Sequence, residues 1–170
     1  MGGQPKGLLR APSGEPIVER WRTLAGSVGL SSVLVGNAAA YAHFGMEAIA
    51  DELPGAGPLG GLVALLRSRP EDQIVAVACD MPHVTAGLLN RLAFSETDAA
   101  VLAPWRDGRY EPLFARYDRV RVCPLATQRL AGADRSLQKL LRAAGTQVLP
   151  LSEEEWPLLA DWDEPPVALD

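Results

Sequence analysis

The chain has 170 residues, 48% of them apolar, and its 16 basic against 21 acidic side chains give a formal charge of −5. That length buries most of the surface an unfolded chain exposes, so one domain spanning residues 1–170 is expected. The acidic balance argues against a non-specific nucleic-acid or anionic-membrane partner and requires any phosphate to be held locally. No apolar stretch approaches the ~20 residues that cross a bilayer, and no charged-then-apolar leader is read, so a soluble, cytoplasmic protein is expected.

The elements then alternate between two periods. Residues 1–9, MGGQPKGLL, open the chain with a glycine pair and a lysine. Pro16 to Val28 carries Ile17, Trp21 and Leu24 at helical spacing. Ser32-Val-Leu-Val-Gly36 is a short apolar run that reads as a buried strand, and Met46–Ala50 is a second strand. Pro58 to Arg67 is helical through Leu59, Leu62, Val63 and Leu66. Ile74-Val-Ala-Val-Ala-Cys79 and Ala99-Ala-Val-Leu-Ala103 are further buried strands, with a helix expected from about Val84. Arg109 to Tyr117 reads as a strand interrupted by Pro112, which places it at a sheet edge or makes it enter through a bulge. Val120–Leu130 and Ser136–Ala144 read as helices stopped by Gly132 and Gly145, and Gln147–Leu151 is a last strand. Strands alternating with helices predict a three-layer α/β/α fold on a mainly parallel, mixed sheet.

Cys79 and Cys123 form no C-x-x-C pair, so neither a zinc ribbon nor a thioredoxin-type site is expected, and Cys79 reads as a core residue. His43 and His83, the only histidines, lack a second His or Cys at ligand spacing. Ser152-Glu-Glu-Glu-Trp156 reads as a solvated acidic loop.

Three stretches carry possible chemistry. Asp51-Glu-Leu-Pro-Gly-Ala-Gly-Pro-Leu-Gly-Gly61 joins a strand to a helix. Its glycines let a ligand approach the backbone and its free N–H groups attract an anion or a polar base edge, unless the loop merely connects. Asp80, in Ala78-Cys79-Asp80-Met81-Pro82, stands at the carboxyl end of a strand, where open α/β sheets bind ligands. Its carboxylate either holds a Mg²⁺ that bridges phosphate oxygens or caps the following helix. Gly2, Gly3 and Lys6 form either an anion-binding loop with a phosphate-neutralising lysine or a remnant of cloning.

Taken in order, these residues resemble the molybdenum cofactor guanylyltransferase family, which has a nucleotide-diphospho-sugar transferase-like fold. Met1-Gly-Gly-Gln-Pro-Lys-Gly-Leu-Leu9 is similar to the second half of that family's opening signature. Val33-Leu-Val-Gly-Asn37, Asp51 with its Gly-Pro-Leu-Gly-Gly loop, Cys79-Asp-Met-Pro82, Glu111-Pro-Leu113 and Asp161-Trp-Asp-Glu-Pro165 continue the resemblance over essentially the whole chain. It implies that an apolar strand and a Leu-Ala-Gly-Gly loop belong upstream of Met1, the methionine of an Arg-Met-Gly motif, and that the chain starts late.

The resemblance implies a cytoplasmic, Mg²⁺-dependent transfer of GMP from GTP to the molybdopterin cofactor, with release of pyrophosphate, by a monomer with no nucleic-acid or membrane partner. Molybdoenzyme apoproteins or their chaperones are implied as recipients. Lys6 and Asp80 would be the catalytic pair, with Asp80 on the metal. Gly2, Gly3, Asn37, Asp51, Gly57, Pro58, Leu59 and Gly60 would join them on the nucleotide. Glu111, Pro112, Asp161 and Asp163 would face molybdopterin. The family often has Gln or His where this chain has Glu111, and asparagines where it has Asp161 and Asp163. A carboxylate at 111 repels cofactor phosphate unless paired or protonated, and an ionised aspartate accepts hydrogen bonds but donates none. Two alternatives stand beside this reading: a molybdopterin cytidylyltransferase of the same fold, and a non-catalytic molybdopterin-binding maturation module.

Overall fold

A computed structural model describes residues 6–36, 38–50, 53 and 55–162. After a 3-10 turn at Lys6–Leu8, helix α1 (Ile17–Ser27) buries Ile17, Val18, Trp21 and Ala25 along one face. Strands β1 (Leu34–Val35) and β2 (Ala48–Ile49) form a short parallel pair. Helix α2 (Pro58–Ser68) starts where Gly57 takes a left-handed φ of 68° that favours glycine, followed by a proline suited to the first turn. Strand β3 (Gln73–Val77) leads to α3 (Ala86–Phe94), then to β4 (Val101–Ala103). The hairpin β5 (Trp105–Arg106) and β6 (Arg109–Tyr110) turns at Asp107 and Gly108, both with positive φ, the conformation a two-residue turn of matching twist requires. Strand β7 (Phe114–Asp118), helices α4 (Arg119–Ala131) and α5 (Leu137–Ala144), strand β8 (Thr146–Val148) and a 3-10 turn at Trp156–Leu159 complete the order.

The main sheet runs β3-β7-β4-β8. β7 is antiparallel to both neighbours while β4 and β8 are parallel, so three of the four strands share a direction, as the alternation of elements predicts. Period-two alternation sends side chains to two cores. Ile74, Ala76, Val101, Ala103, Ala115 and Tyr117 pack under α2, α4 and α5. Leu102 and Phe114, with Val75 and Val77 beside them, pack under α1 and α3. These two helix-covered faces are the three layers. Arg116 is the buried charge of this sheet. It donates to Ala93 O at 2.7 Å and Ser95 O at 2.6 Å, so its guanidinium meets the negative end of α3, and burial lowers its pKa.

Several expectations change. The 32–36 run, expected as a buried strand, is the two-residue β1, outside the main sheet and with Val35 exposed. β7 is neither at an edge nor bulged: it lies between β3 and β4, and Pro112 falls in the turn before it, where its missing N–H costs no ladder bond. α3 is capped by Thr85, whose Oγ1 accepts from Leu88 N at 3.2 Å, which takes the capping role from Asp80. The 152–156 run is not simply solvated, since Glu155 accepts from Arg91 and from Ser152 N, and Glu153 from Arg106.

Candidate active site

The turn at Lys6–Leu8 is tied to the start of α1 by Leu9 O, which accepts from Ile17 N at 2.9 Å, while Leu9 N returns to Lys6 O at 3.0 Å. Leu9 and buried Ala11 anchor the segment in the core under α1 and α3. Strand β3 brings in Asp80, three residues beyond Val77. The neighbouring β7 brings in Glu111, three residues ahead of Phe114, the register partner of Val77. Both acids therefore leave the sheet at one end, the carboxyl end of β3 and β4, where ligands bind in open α/β folds.

Lys6 and Asp80 meet there. The lysine Nζ donates to Asp80 Oδ2 at 2.7 Å, with the lysine side chain 52% exposed and the aspartate 13%. The pair sets a half-exposed cation beside a largely enclosed anion. Beside it Gly7 N donates to the Tyr41 hydroxyl at 3.3 Å, and a Cβ on Gly7 would stand 2.9 Å from that oxygen. Cys79 belongs to neither core. Its thiol faces this cluster, and burial first, then the Asp80 charge, push its pKa up, so it resists ionising.

The tail links the pair to the second acid. Trp162 N donates to Asp80 O at 2.7 Å, and its ring lies 5.5 Å from that of His83. The preceding residue, Asp161, and burial together raise the Glu111 pKa, burial being the larger cause, against a smaller opposite effect of Arg109. Pro112 is held by its carbonyl, which accepts from the Tyr117 hydroxyl at 2.6 Å.

The Gly57–Gly60 stretch packs more tightly than a simple cradle. Leu59 is fully buried, Gly60 N donates to Gly57 O at 3.0 Å, and a Cβ on Gly60 would stand 3.0 Å from that of Ala56. Leu59 thus has only backbone to offer a ligand, and Gly60 serves helix packing. Gly2, Gly3, Asn37, Asp51 and Asp163 lie outside the described residues. Tyr41 and Trp162 were not singled out as site residues, because an aromatic side chain carries no local signal of which distant group it will touch.

The MobA-like NTP transferase domain model matches residues 1–148. The molybdenum cofactor guanylyltransferase of Pseudomonas putida (strain GB-1) is 32% identical over 162 residues, covering 91% of this chain and 82% of the relative. A probable molybdenum cofactor guanylyltransferase of Clostridium perfringens is 33% identical over 87 residues, 51% of this chain and 44% of the relative. Among solved structures, molybdopterin-guanine dinucleotide biosynthesis protein A of Archaeoglobus fulgidus superposes with a TM-score of 0.77 at 22% identity, over 96% of this chain and 86% of that one. The 2-C-methyl-D-erythritol 4-phosphate cytidylyltransferase of Thermus thermophilus gives 0.67 at 15% identity, over 96% and 90%. These two likenesses speak for the fold.

Proposed function

The chain belongs to the family of MobA-like NTP transferase domains, and from that premise we propose that it is a nucleotidyltransferase that moves GMP from GTP to the molybdopterin cofactor. The observation that carries this reading is the Lys6–Asp80 pair at the carboxyl end of β3. An oxygen of the cofactor's terminal phosphate attacks the α-phosphorus of GTP, and the bond to the β-phosphate oxygen breaks to release pyrophosphate. Such an in-line displacement gains most from positioning and from neutralised charge.

Lys6 is half-exposed, and in this reading its ammonium exchanges Asp80 for the nucleotide phosphates and holds the charge that develops on them. Asp80 offers hard carboxylate oxygens for Mg²⁺. Among the described residues no group of three or more His, Cys, Asp or Glu could hold a metal alone. Magnesium takes one or two carboxylates and completes its shell with phosphate oxygens and water, so in this reading Asp80 would be its protein ligand. Bound there, the ion would neutralise phosphate charge. Gly2, Gly3, Asn37, Asp51 and the backbone of Gly57–Gly60 make up the nucleotide side in this reading.

Glu111, Pro112, Asp161 and Asp163 make up the cofactor side. Burial and the Asp161 charge raise the pKa of Glu111, so it keeps its proton to higher pH than an exposed glutamate would. The reading carries with it a single domain, acting as a monomer in the cytoplasm; among the described residues no helix is long and apolar enough to cross a membrane.

Calorimetry with GTP and CTP, each with and without Mg²⁺, tests the nucleotide half. Mg²⁺-dependent binding of GTP in preference to CTP is expected. Preference for CTP would make the chain a cytidylyltransferase, and binding of neither would overturn the enzyme reading in favour of a maturation module.

A further inference from the structure

The segment that carries Asp80 crosses from β3 to α3 with no ladder or helix to hold it, yet its main chain is gripped from two sides. On one side Trp162 N donates to Asp80 O at 2.7 Å. On the other, Arg20 reaches across from α1: its Nε donates to Pro82 O at 2.5 Å and its Nη2 to Val84 O at 2.6 Å. Met81 and Val84, 4% and 1% exposed, are plugged into the core beside Ile17 and Trp21, the neighbours of Arg20 on the same helix. A guanidinium suits this task because its planar fork aims two donors at once, whereas an ammonium is a single point with freely turning protons.

We infer that Arg20 is a positioning residue for Asp80, fixing the 80–84 segment so that the carboxylate faces Lys6 and the phosphates rather than swinging with a loose loop. The inference rests on the role proposed above for Asp80. Groups that orient a ligating or catalytic side chain commonly change activity or metal affinity by about 10- to 100-fold when removed.

The test uses the whole chain with Arg20→Met and Arg20→Lys. Amide exchange, which needs no substrate, should rise in Arg20→Met at Met81, His83 and Val84 and at Trp162, whose N–H bonds Asp80 O, while β4 stays protected. In transfer assays Arg20→Met should lower kcat and raise the Mg²⁺ requirement, each by about tenfold or more, with KM for GTP within about twofold. Arg20→Lys should recover only part of both, because it restores the charge without the fork. Unchanged exchange at Met81, His83, Val84 and Trp162, or wild-type kcat and Mg²⁺ requirement in either variant, would overturn the inference. A lower melting temperature with normal kcat would do so too, since it would make Arg20 a plain structural tie. Should Arg20→Met fail to fold, Arg20→Lys decides alone. Absence of transfer by the unmodified protein would instead count against the proposed activity, and the exchange measurement would still decide whether Arg20 holds the segment.

Discussion

The Lys6 ammonium rests 2.7 Å from Oδ2 of Asp80, a contact across 74 positions that ties the turn ahead of α1 to the end of β3. Asp80 does not cap α3, whose N-cap is Thr85, and neither Lys6 nor Asp80 is among the buried core residues, so the side-chain pair can be removed with little harm to the fold. Asp80→Ala should reduce transfer by about 10²–10³-fold, the scale of removing a group aimed at transition-state charge. Its stability should fall by less than about 1 kcal/mol, because the lysine is half-exposed and such pairs contribute little. Steady-state kinetics beside a denaturation curve checks both; unimpaired turnover would return Asp80 to a structural role.

Lys6→Ala should raise KM for GTP and lower kcat together, with kcat/KM falling about 10- to 100-fold. That range corresponds to the ~1.5–3 kcal/mol of a hydrogen bond to a charged group. Lys6→Arg should keep part of the binding. Unchanged kinetics in Lys6→Ala would make the lysine a solvated surface charge.

Gly7→Ala tests how closely the turn is fitted. Its Cβ would sit 2.9 Å from the Tyr41 hydroxyl oxygen and 3.0 Å from Cε1, inside normal contact. The ring must move and the Gly7 N–H loses its acceptor, so a stability cost of about 1–3 kcal/mol is expected, with turnover reduced because Lys6 is next in the chain. Pairing the change with Tyr41→Ala should relieve the clash. A Gly7→Ala protein as stable and active as the parent would contradict this geometry.

Glu111 links the site to pH. Burial and Asp161 raise its pKa above the unfolded value of 4.5, so the folded state binds its proton more tightly. Its contribution to stability is complete below that value and is lost as pH rises through the folded pKa. Glu111→Gln should therefore stabilise the protein at neutral pH, and the advantage should vanish below about pH 4.5. Asp161→Asn should act in the same direction more weakly. Melting curves across about pH 3.5–8 read this out, and a gain that persists below about pH 4 would show a different cause.

Much of this was legible from residue order. Ile17, Trp21 and Leu24 mark α1 because an amphipathic helix needs only a local period, and Val75 with its neighbours marks β3 because a buried strand needs only an apolar run. The position of β7 was not legible: Pro112 is a local signal, whereas a place between β3 and β4 depends on pairing with residues far away in the chain. The same limit applies to the site. Lys6 and Asp80 could each be singled out by type and setting, but their contact, the Tyr41 hydroxyl on Gly7 N and the fork of Arg20 on Pro82 and Val84 arise only when separate elements meet. Thr85 and Asp80 are both good capping residues; where α3 starts decides for Thr85.

The most direct measurement is transfer of label from α-phosphate-labelled GTP to molybdopterin in the presence of Mg²⁺, with labelled CTP and the Asp80→Ala protein run alongside. The account predicts a labelled guanine dinucleotide cofactor and one pyrophosphate for each transfer, little product from CTP, and almost none from Asp80→Ala. Equal labelling by the parent and Asp80→Ala proteins, or no labelling by a parent protein shown to be folded, would contradict it.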